Sequence, residues 1–105
     1  MPKYLFAYHG GGTMPETEAD QAAVMQAWTT WLGDLGNAIV DVGNPTGAAK
    51  TLAADGSVSD GGGANPLNGF TFVTATDLDA ATGLAKGCPI FADGGTVEVA
   101  EVLEM

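Results

Sequence analysis

The chain has a single imidazole, a single thiol and two serine hydroxyls, so any mechanism needing two imidazoles or two thiols within one chain is closed to it. His9 closes the apolar opening segment Lys3-Tyr4-Leu5-Phe6-Ala7-Tyr8 and is followed by Gly10-Gly11-Gly12. A strand that ends beside glycines often opens into a cleft between sheet and helices, where an imidazole can act as general base once a carboxylate orients it. Asp60, Asp41 and Asp93 are the carboxylates weighed for that part, and His9 with Asp60 is the catalytic pair the sequence suggests. The plain alternative is a strand-end histidine that is solvated or simply hydrogen-bonded. Trp28 and Trp31 lie three apart, so on a helix they share much of one face, either as the wall of an apolar ligand site or as core. In the first case Tyr8, His9, Trp28 and Phe70 line the pocket and Asp60 closes it from a loop.

Other chemistries fail on spacing. The triple glycine precedes a helix, a place where backbone N–H groups can cradle phosphate. The dinucleotide pattern nevertheless breaks at Pro15, no P-loop lysine follows, and Glu16 and Glu18 repel an anion. Asp55 and Asp60 among glycines lack the ligand spacing of a calcium loop and read as turn residues. Ser57 and Ser59 stand outside any G-x-S-x-G elbow. Cys88 follows the end of a helix, where the dipole disfavours a thiolate, and reads as a packed thiol. One cysteine excludes an internal disulfide and a multi-cysteine zinc site. No metal or cofactor is expected.

The 105 residues carry thirteen acidic side chains against three lysines (Lys3, Lys50, Lys86) and no arginine, a formal charge of −10. Three scattered cations make no face for nucleic acid or for an anionic membrane. With 46% hydrophobic and 15% charged residues the chain is no disordered acidic tail, and residues 1–105 are expected to fold as one domain. By area scaling, a chain of this size buries only about 64% of its extended surface, so self-association would help it. The absence of a long apolar run and of a signal-peptide pattern points to a cytoplasmic protein. The lack of arginine tilts a ligand towards small, neutral, largely apolar molecules.

The elements that must position these groups follow from period and punctuation. Lys3 to His9 alternates as a strand with both faces fairly apolar. Met25, Trp28, Leu32 and Leu35 recur at helical spacing. That predicts a helix of about 20 residues starting near Glu16, with Thr13 and Glu16 as a capping box, Pro15 in the first turn and Gly36-Asn37 as the stop. Ile39 to Val42 is a short strand closed by Gly43-Asn44-Pro45. Lys50–Ala53 and Ser57–Ser59 flank the hairpin-turn pair Asp55-Gly56. Phe70 to Thr76 is rich in aromatic and β-branched residues. Asp77 or Thr76 then caps a helix carrying Leu78, Ala81, Leu84 and Ala85 that stops at Gly87, and Thr96 to Leu103 alternates as a half-polar strand.

Strand, long helix, strand, hairpin, strand, short helix, strand is the order of an α+β, ferredoxin-like split β-α-β fold with both helices on one sheet face. Apolar residues on both strand parities leave the second face in need of cover, and a second copy is the simplest cover. A homodimer closing as a dimeric α+β barrel is therefore expected.

Over nearly its whole length the chain resembles the YCII-related family, in particular its DGPF subgroup. The matching pieces are Lys3-Tyr4-Leu5-Phe6-Ala7-Tyr8, Ala27-Trp28 with Trp31-Leu32, and Asp55-Gly56-Ser57-Val58-Ser59-Asp60-Gly61. They continue through Asn68-Gly69-Phe70, Asp77-Leu78-Asp79-Ala80-Ala81, Gly87-Cys88-Pro89 and Gly95-Thr96-Val97-Glu98-Val99. The resemblance implies the same fold and the same dimeric barrel. The chain departs from the subgroup at its name motif, where Asp60-Gly61-Gly62-Gly63 replaces Asp-Gly-Pro-Phe. It also departs on the first helix, where enzyme-like relatives carry a histidine and this chain has Trp28 or a neighbour. Three readings remain: a small-molecule-binding or accessory module with an apolar cleft, an enzyme performing proton abstraction or elimination on a small organic substrate, and a purely structural interaction domain, which a completely filled space between helix and sheet would favour.

Overall fold

In the computed structural model, which describes residues 1–11 and 15–105, the opening segment forms strand β1, Lys3–His9, the second of two central strands in a four-stranded sheet. Helix α1 follows at Glu18–Leu35, then β2 (Ile39–Pro45), the two short strands β3 (Lys50–Leu52) and β4 (Val58–Asp60), β5 (Leu67–Thr74), helix α2 (Leu78–Ala85) and β6 (Thr96–Glu101). The sheet order is β2-β5-β1-β6, every neighbouring pair antiparallel, while β3 and β4 pair only with each other. The architecture is α+β, one antiparallel sheet and two helices.

Strand alternation divides β1 cleanly. Tyr4, Phe6 and Tyr8 are buried towards the helices and meet Val73, Thr71 and Gly69 of β5, while Lys3, Leu5, Ala7 and His9 lie on the other face, of which only the small Ala7 is also buried. Trp31 is buried against this row, its ring stacked 6.2 Å from Phe6 and edge-on to Tyr8 at 6.3 Å. The Trp31 indole N–H donates to the Leu84 carbonyl at 3.3 Å, which ties α1 to α2. Ala81, Ala85, Cys88 and Ile90 complete the core.

The helix starts differ from expectation. Thr17 caps α1, its hydroxyl accepting from the Asp20 N–H at 3.1 Å, and Pro15 and Glu16 precede the helix. Thr13 of the expected capping box lies outside the described residues. Met25 is exposed, and the inward stripe is Trp28, Trp31, Leu32 and Leu35. On α2 the expected cap holds: Asp77 accepts from the Ala80 N–H at 2.7 Å.

The second strand continues past Gly43 to Pro45 because a bulge absorbs the glycine. Register shifts flank Asp41, whose carboxylate accepts from the Gly43 N–H at 2.9 Å. Gly43 has φ +73°, and a Cβ there would fall 1.7 Å from the Phe70 carbonyl oxygen, so no other residue fits.

Candidate functional site

The sequence places Tyr8, His9, Trp28 and Phe70 around one pocket, and the sheet separates them. Tyr8 and Trp28 meet edge to face at 5.0 Å on the helix side, and Trp28 in turn meets Trp31 at 5.7 Å. His9 and Phe70 lie on the opposite face: Phe70 pairs with Ala7, and the odd-numbered residues of β1 share that side. The rings of Phe6, Tyr8, Trp28 and Trp31 therefore pack one another between helix and sheet, where an aromatic ligand wall was one of two sequence readings.

Among the described residues no buried side-chain polar atom lacks a hydrogen-bond partner. Thr71 donates its single hydroxyl proton to the Val42 carbonyl at 2.9 Å, so the Tyr8 hydroxyl, 2.7 Å away, is the donor to Thr71. Burial pushes the Tyr8 phenol up to about 12. Burial likewise pushes the Cys88 thiol up to about 11, which makes it an inert packed thiol.

His9 has two partners, and neither is an aspartate. Its Nε2 lies 3.1 Å from Glu98 Oε1 and its Nδ1 lies 3.0 Å from the Asn65 carbonyl. Asp60 sits on β4, where it takes the Lys50 ammonium at 2.6 Å, and Asp41 is engaged with the backbone of its own bulge. Asp93 lies in a 3₁₀ turn, Pro89–Asp93, before β6. Glu98 reaches His9 because β6 pairs antiparallel with β1, setting Thr96 opposite His9 and Glu98 opposite Ala7 on the same face. Strand order was needed to find it, and the sequence signal was the shared parity of Thr96, Glu98 and Ala100.

Both ring nitrogens of His9 are engaged, one by Glu98 and one by the Asn65 carbonyl, so one of these contacts must open before a substrate proton can reach the ring. The imidazole is 13% exposed and Glu98 is 66% exposed, so the pair lies at the surface of one chain rather than in a closed cleft.

The same face carries the larger hollow, about 670 Å³, lined by Lys3, Val40, Asp41, Val42, Phe72 and Val102. The Lys3 ammonium lies 6.0 Å from the centre of the Phe72 ring, and Phe72 meets Phe70 edge to face at 5.9 Å. A second hollow, about 330 Å³, lies beside Met1, Pro2 and Glu104. Among the described residues no three His, Cys, Asp or Glu come together as metal ligands, and no helix is long and apolar enough to cross a membrane.

Comparison with models of protein families gives no match, and comparison with curated proteins gives none either.

Proposed function

We propose that the chain is a YCII/DGPF-like cytoplasmic homodimer, a small-molecule-binding or accessory module whose working surface is the open face of its sheet. The observation that carries this reading is the contrast between a helix side filled by four aromatic rings and an open side that keeps Leu5, Phe70 and Phe72 half-buried beside a 670 Å³ hollow. The sheet order β2-β5-β1-β6, with one helix after β1 and one after β5, supports the ferredoxin-like assignment. Two such sheets, open face to open face, give the dimeric α+β barrel.

Charge supports the same partner. Most helix-layer acids, including Glu18, Asp20, Asp34, Asp77 and Asp79, lie on or at the ends of α1 and α2. The open face holds Glu98 against His9, and Asp41 lines one hollow with Lys3. On a chain of charge −10 this sparsely charged face is where a second copy meets the least repulsion. The hollow then becomes an enclosed cleft walled by Val40, Val42, Phe72 and Val102, with Lys3 and Asp41 of opposite charge beside them, suited to a ligand of no net charge.

The 3.1 Å contact between His9 and Glu98 favours one second reading, an enzyme for proton abstraction or elimination in which Glu98 takes the part first given to Asp60. That reading requires the Asn65 carbonyl to give up Nδ1, so that the nitrogen opposite Glu98 is open to act as a base.

Sedimentation at micromolar concentration is expected to give twice the single-chain mass, and a single-chain mass would overturn the proposal. Nile red, a neutral apolar fluorophore, is expected to brighten with the dimer and to lose that response in Phe72→Glu.

A further inference from the structure

The bulge on β2 changes what the strand presents to the open face. In a regular strand neighbouring residues point to opposite sides, yet Val40, Asp41 and Val42 all border the 670 Å³ hollow. Register shifts on either side of Asp41, which stands opposite Phe72, release it from that alternation. One oxygen of its carboxylate, Oδ1, accepts from the Gly43 N–H at 2.9 Å, and the other has no hydrogen-bond partner among the described residues.

Lys3 reaches the same hollow from the other side of Phe72. It belongs to β1, which flanks β5 opposite β2, and its ammonium lies 6.0 Å from the centre of the Phe72 ring. The ion pairs among the described residues are His9–Glu98 and Lys50–Asp60, so no carboxylate there lies within salt-bridge distance of Lys3, although Glu101 and Glu104 border the smaller hollow beside it. The site therefore has an aromatic floor, a cation on the β1 side, a carboxylate with one free oxygen on the β2 side, and walls of Val40, Val42 and Val102. Its volume of about 670 Å³ falls within the range of about 300–1,000 Å³ usual for small-molecule sites.

We infer that this hollow takes a small zwitterion with an apolar body, its carboxylate on Lys3, its ammonium on the free oxygen of Asp41 and its body against Phe72 and the valines. This rests on the small-molecule-binding reading proposed above and names the ligand class for it. The other classes each leave a charge without a partner. Any molecule that fills the hollow displaces water from Lys3 and Asp41, and an uncharged one gives neither a counter-charge in return. An acid without an amine pairs with Lys3 alone and must approach a chain of charge −10. An amine without a carboxylate pairs with Asp41 alone and sets a second cation near Lys3. The zwitterion supplies a charge-assisted hydrogen bond to each group and adds no net charge.

The test is titration calorimetry on the intact protein with two zwitterions of short and long charge separation, L-phenylalanine and ε-aminocaproate. Each is compared with its counterparts lacking the amine (hydrocinnamate, caproate), the carboxylate (phenethylamine, hexylamine) or both charges (phenethyl alcohol, hexanol). Lys3→Met keeps the alkyl stem beside Phe72, and Asp41→Asn keeps an acceptor for the Gly43 N–H, so each variant removes a charge with little change of shape; the ligand series carries the test by itself where a variant loses stability. At least one zwitterion is expected to bind at least tenfold more tightly than each of its counterparts and to lose at least tenfold in affinity in either variant, while the Nile red response persists. A counterpart that comes within tenfold of its zwitterion, or a folded variant that loses less than tenfold, overturns the zwitterion and leaves the binding module standing. Nile red brightening without binding of either zwitterion does the same. No binding of any compound together with no Nile red response overturns both.

Discussion

The two faces of the sheet are written by alternate residues of the same strands, yet they end in opposite conditions. On the helix side Tyr4, Phe6, Tyr8, Thr71 and Val73 are buried, and each buried side-chain polar atom there has a partner. On the other side Leu5, Phe70 and Phe72 are half-buried, with the His9–Glu98 contact and an open hollow beside them. The helices finish one surface from within the chain. The other keeps apolar rings partly open to solvent.

The contrast can be broken most forcefully on the helix side. Trp31→Ala removes the ring that contacts Phe6, Tyr8 and Trp28 and is expected to cost about 3–5 kcal/mol of stability in urea unfolding. If it costs no more than an open-face substitution, the two faces are not energetically distinct. Tyr8→Phe deletes the donor to Thr71 while Thr71 keeps its own acceptor, so about 1 kcal/mol is expected.

Alkaline pH sharpens the same point. The phenol of Tyr8 titrates near 10 when unfolded and about 12 when folded, and the thiol of Cys88 near 9 and about 11. Between these values the unfolded chain releases protons that the native one keeps. Their contribution is therefore complete below pH 9 and is lost as pH rises towards 12, and Tyr8→Phe should flatten the upper part of that decline. Smallest is Glu98→Gln, an exposed partner whose loss should change monomer stability by less than about 1 kcal/mol. A larger loss, measured in dilute solution, would mean that the open face is already structural in one chain.

The order of elements was legible because each has a strong local signature. Alternation marks β1 from Lys3 to His9, the Asp77 cap marks α2, and Asp55-Gly56 marks the hairpin turn. What was not legible is which residues lie across from one another. The partner of His9 is 89 positions away and depends on β6 lying beside β1, a long-range pairing that no local pattern states. The pocket expected around Tyr8, His9, Trp28 and Phe70 fails for a related reason, since adjacent residues of a strand point to opposite faces. Trp31 in the core and Met25 at the surface stand about 120° apart around the helix, and since both are apolar, hydrophobicity alone does not say which of them faces inward.

The position of β1 within the sheet bears on how the protein is made. β1 comes before both of its sheet neighbours, β5 and β6, with Tyr4 opposite both Val73 and Glu101, and β2, β3 and β4 lie between them in the sequence. During synthesis β1 therefore waits with both edges unpaired until β5 and β6 have emerged. The sheet cannot grow outward from β1 as the chain lengthens. Folding of such non-local pairings is slow, and an unpaired strand in waiting is open to capture by another copy or by a chaperone.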